Sequence, residues 1–414
     1  MNDPLNHSPT VAIIGAGPAG LIAAEVLSQN GISVDIYDSM PSVGRKFLLA
    51  GVGGMNLTHS EPFESFVSRY REQADLLRPF LQQFGATELR EWAHQLGIET
   101  FIGSSGRVFP STMKAAPLLR AWLHRLRAKG VRIHVRHKWA GWNEAGHLLF
   151  STPHGELEVK PQASIFALGG GSWAKLGSDA AWVPLFQNKG IPVSTLKPSN
   201  CGFNVKWTEH FRSKFAGSPI KPVVATIKDI NGNPIQQQGE FNITAEGVEG
   251  NLIYSFSALI REIIYANGVA EILLDLAPGK SMERLESELA KPRGSKSMSN
   301  HLRARAGIEG VKAGLLHEYL SSEQFNNPHQ LAATIKSFSL KLISARPLDE
   351  AISSAGGIPF AALNKNLMVE KMPGVFCAGE MLDWEAPTGG YLLTACYATG
   401  YQAGLGVAKW LHSI

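Results

Sequence analysis

The first apolar stretch of the chain, Val11-Ala12-Ile13-Ile14, shows no polar alternation, so it predicts a strand buried on both faces of a parallel sheet. Leu21–Gln29, rich in Ala and Leu and stopped by Asn30-Gly31, predicts a helix. Residues 32–37 alternate like a second strand and deliver an acid, Asp38, at its end. Residues 74–97 read as two helices, the second opening at Thr87 and stopping at Gly97. A helix over 114–129 ends at Lys129-Gly130, and VRIHVRHKW (131–139) alternates as a third strand. That strand–helix–strand spacing predicts a parallel sheet extended by one crossover. Residues 146–173 read as short strands with turns, closing on the apolar run Ser164–Leu168 and three glycines. From Ile191-Pro192 to about Leu276 short alternating segments predict a β-rich module, with a hairpin turn at Asn231-Gly232-Asn233-Pro234. From Ser281 to about Leu342 the pattern turns helical. Residues 351–414 return to an α/β style, with a strand over Val375–Ala378, the pair Gly379-Glu380, and Gly389-Gly390 opening a long helix.

The 414 residues exceed one simple core, so two or three domains are expected. With 44% hydrophobic and 18% charged residues the composition is that of an ordinary globular protein. A net charge of +4 gives little support for nucleic acid as a partner over the whole surface. Cys201, Cys377 and Cys396 form no C-x-x-C, which argues against a disulfide scaffold and a dithiol–flavin relay and for buried free thiols in a reducing cytosol. The run Val11–Leu27 is interrupted by glycine and proline, and Met1–Thr10 carries no Lys or Arg, so no signal peptide is expected. No stretch reaches membrane-spanning length without charges; a cytoplasmic location, no membrane and no metal site are the expectations.

The chemistry begins at Gly15-Ala16-Gly17-Pro18-Ala19-Gly20, a G-x-G-x-x-G between the first strand and the first helix. In a βαβ dinucleotide unit the first glycine permits the turn, the second lets the backbone approach a pyrophosphate, and the third lets helix and strand pack. The helix N-terminus offers free N–H groups and partial positive charge to the phosphates. Asp38 is placed to bond a ribose hydroxyl. The segment 41–59, PSVGRKFLLAGVGGMNLTH, reads as too irregular for a helix and too apolar for a plain surface loop. Gly51, Gly53 and Gly54 would allow close backbone approach to a ligand, with Arg45 and Lys46 offsetting phosphate charge. A second fingerprint would need glycine at 174, and the residue is Ala174. A cofactor reaching from the first motif to the late Gly379-Glu380 and Gly389-Gly390 landmarks is long, which favours FAD over NAD as the resident group. The helix beginning at Gly389 would then stabilise negative charge on the flavin's pyrimidine edge.

Four landmarks, GAGPAG, GRKFLLAGVGGMNLTH, GRVFPSTMKA and AGEMLDWEAPTGGYLLTACYATGYQAG, resemble the BaiN/YhiN-like NAD(P)/FAD-dependent oxidoreductases of the two-dinucleotide-binding-domain flavoprotein superfamily. The resemblance spans almost the whole chain, including ITAEGVEGNLIYSFS (243–257) and KPRGSKSMSNHL. It implies an α/β fold, a Rossmann-like FAD-binding domain split in sequence, with an inserted β-barrel-like module and a small helical module. The corresponding spans are 1–190 and 346–414 for the FAD domain, 191–280 for the β-rich module and 281–345 for the helical one. It implies FAD contacts at Gly15, Ala16, Gly17, Pro18, Ala19, Gly20, Asp38, Arg45, Lys46, Asn56, Leu57, Thr58, Ala167, Gly169, Gly379, Glu380, Asp383, Gly389, Gly390 and Tyr391. Two positions depart from the family pattern: Asp38 stands where Glu is usual, and Gly53-Gly54-Met55-Asn56-Leu57-Thr58 replaces G-R-C-N-x-T. The chain therefore reads as a divergent subgroup.

The expected activity is an FAD-dependent reductase passing hydride from NAD(P)H to a small organic acceptor, conjugated carbonyl compounds being the class the resemblance suggests. With one fingerprint, NAD(P)H would bind transiently in the substrate pocket. Pocket candidates are Arg107, Tyr254, Trp384, Glu385 and Tyr391, and Arg107 would hold a carboxylate or enolate oxygen unless a surface salt bridge claims it. No catalytic residue is assigned. Reduction of oxygen is a further direction for the same flavin. Two other classes stand beside this reading. One is a flavoprotein acting on RNA, motivated by Lys291, Arg293, Lys296, Arg303 and Arg305, although a solvated helix face explains those charges as well. The other is a non-redox binding scaffold, against which the intact Gly389-Gly390 helix start argues.

Overall fold

The computed structural model describes residues 10–49, 53–229 and 232–413; Gly51 and Val52 of the glycine loop, Asn231 of the hairpin turn and residues 1–9 lie outside the described residues. The chain divides into two compact units, Met1–Pro198 with Leu348–Ile414, and Ser199–Pro347.

The first unit opens with β1 (Val11–Ile14), α1 (Pro18–Gln29) and β2 (Val34–Asp38). Next come α2 (Arg45–Leu49), β3 (Thr58–His59), α3 (Phe63–Ser68), α4 (Ala74–Gln83), α5 (Ala86–Gln95), β4 (Thr100–Ile102), β5 (Arg107–Pro110) and α6 (Ala115–Ala128). They are followed by β6 (Arg132–Val135), β7 (Lys138–Trp142), β8 (Leu148–Thr152), β9 (Gly155–Val159), β10 (Ala163–Phe166), α7 (Trp182–Asn188) and β11 (Ser194–Ser199). The second unit holds β12 (Phe203–Asn204), α8 (Glu209–Phe215), β13 (Pro219–Lys228), β14 (Pro234–Ile243), β15 (Gly247–Glu249), α9 (Asn251–Asn267) and β16 (Ala270–Asp275). It continues through α10 (Met282–Leu289), α11 (Met298–Ala306), α12 (Gly310–Tyr319), α13 (Ser322–Phe325), α14 (Pro328–Lys336), β17 (Phe338–Leu342) and β18 (Ser344–Ala345). The chain then returns to the first unit with β19 (Ser353–Gly357), β20 (Val375–Cys377) and α15 (Tyr391–Leu411).

The core of the first unit is a five-stranded parallel sheet in the order β20-β10-β1-β2-β6. Strand β1 sits at its centre, Ile14 paired with Phe166 on one side and Tyr37 on the other, and all four of its residues are buried. That burial on both faces is what its unbroken apolar run required. Helices α1 and α15 pack closely because α15 is thinned by glycine: a side chain at Gly400 would meet the Ala19 carbonyl oxygen at 2.3 Å. The C-terminal return is thus built into the first sheet as strand β20 and over it as helix α15.

The second unit carries a seven-stranded antiparallel sheet, β17-β16-β13-β14-β15-β12-β18. Four expectations need correction. The loop 41–59 contains a short helix, α2, whose Phe47 is buried. The third strand ends at Val135, because Arg136 takes φ +59° and Lys138 begins the separate sheet β7-β8-β9. The β-rich module contains the 17-residue helix α9. Its β-branched and aromatic residues favour strand locally, but Leu252, Phe256, Leu259, Ile260 and Ile264 recur at helical spacing and are buried together. Conversely the helical stretch stops at Lys336, and Phe338, Leu340 and Leu342 alternate inward from β17.

Candidate functional site

The turn from β1 into α1 is fixed by three glycines with three different surroundings. Gly15 takes φ +103°, its N–H donates to the Tyr37 carbonyl at 2.8 Å, and a side chain there would strike the Ala167 oxygen at 2.3 Å. A side chain at Gly20 would lie 2.0 Å from the Gly15 oxygen. At Gly17 nothing lies within 4 Å of the missing side chain, so the backbone there faces open space. Pro18 occupies the first turn of α1, which contains no acid, so the positive end of the helix is not offset from within.

A cleft of about 160 Å³ opens at this turn, over the carboxyl ends of β1, β2 and β10, where open α/β sheets bind ligands. Gly15, Ala16, Gly17, Pro18, Ala19, Asp38, Arg45, Lys46, Ala167, Gly169, Gly379 and Glu380 all line it. Asp38 is held rigidly: its two carboxylate oxygens accept the Ala16 N–H at 2.9 Å and the Met40 N–H at 2.8 Å. Burial pushes its carboxyl above the ordinary value, against the pull of those two bonds and of the Arg45 charge. Lys46 does not stand free. Its Nζ lies 2.7 Å from Glu380 Oε2 and donates to Ser172 Oγ at 2.7 Å, while Glu380 Oε1 accepts the Ser354 N–H at 2.9 Å. Residues distant in sequence thus form one charge-neutral network on the cleft wall.

Gly20 lies behind the cleft against Gly15 and does not line it; neither do Asn56, Leu57, Thr58, Asp383, Gly389, Gly390 and Tyr391. Several of these assemble a second group around the start of α15. A side chain at Gly390 would meet Thr58 Cα at 2.5 Å, and the Thr58 and Thr394 hydroxyls are 2.8 Å apart. The Tyr70 hydroxyl donates to the Tyr391 carbonyl at 2.8 Å. The Tyr391 hydroxyl donates to Glu61 Oε1 at 2.6 Å, and Glu61 is paired with Arg69 at 2.7 Å. Burial first, then Glu61, pushes the Tyr391 phenol well above its ordinary range. Burial would also raise the Glu61 carboxyl, but the bonds from Arg69 and Tyr391 outweigh it and hold it low. Tyr391 is therefore a neutral donor committed to Glu61. Asp383 accepts from the Ser194 hydroxyl at 2.7 Å. Trp384 is 2% exposed and its indole N–H donates to the Gly379 carbonyl at 2.9 Å, a core support for the cleft wall. Tyr254 belongs to the second unit, and Arg107 and Glu385 lie outside the cleft.

Sequence reasoning did not single out Trp139, Ser178 or Cys396 as site residues, yet all three line the cleft. Trp139 Nε1 and Ser178 Oγ are buried without a hydrogen-bond partner, as is Asn56 Oδ1. Buried polar atoms normally find partners, so these point to a bound group. Burial pushes the Cys396 thiol up to about 12, which makes it a thiol rather than a thiolate at neutral pH. The open backbone at Gly17, the uncompensated helix end and the orphaned polar atoms fit a dinucleotide such as FAD. Among the described residues no group of three His, Cys, Asp or Glu is placed to hold a metal ion, and no helix is long and apolar enough to cross a membrane.

Two curated relatives span nearly the whole chain. A 3-dehydro-bile acid delta(4,6)-reductase from Clostridium scindens is 26% identical over 424 residues, covering 96% of this chain and 99% of its own. A ribosomal RNA dihydrouridine synthase from Haemophilus influenzae is 23% identical over 408 residues, covering 96% and 98%. Among solved structures, the open conformation of a flavocytochrome c3 fumarate reductase matches with a TM-score of 0.53 at 15% identity, over 98% of this chain and 79% of that one. A 3-ketosteroid-delta4-(5alpha)-dehydrogenase from Rhodococcus jostii RHA1 matches with a TM-score of 0.51 at 12% identity, over 99% and 98%. At such identities the structural likeness shows the fold. The HI0933-like protein Rossmann domain family matches residues 9–406, and the chain belongs to that family, the BaiN/YhiN type of FAD-dependent flavoprotein oxidoreductases.

Proposed function

We propose that this flavoprotein is a reductase that takes hydride from NAD(P)H and delivers it to a small acceptor bearing a conjugated carbonyl. The observation that carries the reading is the near full-length similarity to a protein named as a 3-dehydro-bile acid delta(4,6)-reductase, joined to a cleft with a single dinucleotide turn. FAD, when bound, supplies the hydride-transfer chemistry. The protein's part is to bind, orient and exclude water. In this reading the backbone from Gly15 to Gly20 and the end of α1 receive the pyrophosphate, with Arg45 adding positive charge. Asp38, already immobilised by two backbone bonds, accepts from a ribose hydroxyl. Ala167, Gly169, Gly379 and the Lys46–Glu380 pair flank the middle of the cofactor. Asn56, Leu57, Thr58 and Asp383, with the N-terminus of α15 at Gly389, Gly390 and Tyr391, serve its ring end. Tyr391 contributes there as a positioning residue, because its hydroxyl is engaged by Glu61. The nicotinamide donor uses the substrate pocket transiently, since the chain carries one dinucleotide fingerprint.

The test is the anaerobic visible spectrum of the purified holoenzyme before and after NADH or NADPH. Bleaching of the flavin band by one nucleotide is the expected result. A band that persists with both sinks the direct-reductase reading.

A second reading, action on RNA, is favoured by the Haemophilus influenzae relative's name and by the basic segment 291–305. Within that segment Lys291 and Arg305 are tied to Glu288. Arg293, Lys296 and Arg303 make no ion pair among the described residues. RNA binding that weakens steeply with salt would support this reading, and no binding at moderate salt would remove it.

A further inference from the structure

The small antiparallel sheet β3-β5-β4 lies outside the cleft and presents an apolar face that is open to solvent. Phe101 and Phe109 are direct cross-strand partners on it, their rings 5.7 Å apart and 29° from parallel. Phe101 is 42% exposed and Met113 36%. Two glycines border this platform and cannot cover it. A side chain at Gly103 would press on the Phe109 ring at 3.3 Å, and one at Gly54 would meet Met113 Cε at 2.5 Å.

Arg107 precedes Phe109 by two residues on β5, so it projects from the same face. The surface salt bridge that would have made it unremarkable is absent: among the described residues Arg107 has no ion-pair partner. Its cross-strand neighbour His59 offers no second free group: its Nδ1 accepts the Glu61 N–H at 3.2 Å and its Nε2 lies 3.0 Å from the Ser105 carbonyl oxygen, so both ring nitrogens are already engaged. The face therefore combines exposed aromatic area with one unpaired guanidinium at its end. A stacked aromatic pair partly open to solvent offers apolar area against which a ring body can pack. A guanidinium beside it pairs with a carboxylate through two parallel N–H···O bonds, strengthened wherever a bound apolar body excludes water. The strands contribute two, four and three residues, too small a face for the roughly 800 Å² per partner that a stable protein interface needs. A single cation likewise fits one carboxylate better than a polyphosphate.

We propose that this face binds a rigid, largely hydrocarbon carboxylic acid, its ring body on Phe101, Phe109 and Met113 and its carboxylate on Arg107. This deepens the acceptor reading given above, and rests on it for the acid being the molecule reduced.

Equilibrium dialysis of the FAD-loaded enzyme, with no nicotinamide present, tests the site with two probes. One is 3-oxo-4-cholenic acid, a steroidal enone carrying a carboxylate; the other is 4-androstene-3,17-dione, a neutral enone of similar ring body. Arg107→Gln is expected to weaken the acid by about tenfold or more and the neutral probe by less than roughly twofold, the difference one charge-assisted contact makes. Arg107→Lys should retain part of the acid's affinity. Phe101→Ser, at an exposed position, should weaken both probes alike. Unchanged acid binding in Arg107→Gln, or indifference of both probes to Phe101→Ser, overturns the proposal. Because no reductant is used, failure of NAD(P)H to bleach the flavin would refute the reductase reading while leaving Arg107-dependent binding standing.

Discussion

Single residues in the α1 turn separate folding from binding. Gly15 and Gly20 are required by the chain itself, since any side chain would collide with the backbone at Ala167 or at Gly15. Gly17 meets nothing, so its small size serves whatever enters the cleft. Gly17→Ala should therefore leave the melting temperature of the FAD-free protein within a few degrees and weaken FAD by roughly tenfold or more. Gly20→Ala should lower that melting temperature sharply, by an overpacking cost of about 1–3 kcal/mol or more. Paired thermal melts and FAD titrations check both; equal effects of the two changes would contradict this division. These glycines were legible in the sequence because a tight turn is a local backbone demand. Trp139 and Ser178 were not, because their places follow from the sheet: β6 beside β2 leads into β7, which carries Trp139, and β10 beside β1 leads into the segment that carries Ser178.

Among elements, α1 is locked to α5 and α6 through one buried acid. Glu25 is 2% exposed, accepts the indole N–H groups of Trp92 at 3.0 Å and Trp122 at 2.7 Å, and lies 2.6 Å from Arg125. Removing it would strand these donors inside the core, which costs about 3–5 kcal/mol when a buried pair is broken. Glu25→Ala is thus expected to lower denaturant stability by that order while leaving Gly17 and Asp38 in place. Urea unfolding followed by tryptophan fluorescence would show it, and a loss below about 1 kcal/mol would mean that the cluster relaxes. Element types followed the local pattern where it was unambiguous: the unbroken apolar run of β1, the amphipathic period of α6 and the glycine start of α15. Helix α9 was misread because its β-branched and aromatic residues favour strand, and burial of one helical face overrode that preference.

For the whole molecule, the first unit is discontinuous: residues 348–414 supply β20 at the edge of the parallel sheet and α15 against α1. A chain ending at residue 347 would leave β10 without its β20 partner and the apolar face of α1 uncovered. Such a truncation is expected to lose FAD binding and the cooperative melt of the first unit, as circular dichroism and FAD titration would report; a truncated chain that retained both would contradict it. By itself the sequence determined the βαβ opening, the glycine turn, the acid at Asp38 and the helix start at Gly389-Gly390, since each rests on residues adjacent in the chain. The tertiary structure alone decided the rest. It paired Lys46 with Glu380, committed the Tyr391 hydroxyl to Glu61, and left Arg107 uncompensated beside an aromatic face. Those outcomes depend on which distant segments the sheet order brings together, and a linear pattern of apolar and polar positions does not encode that juxtaposition.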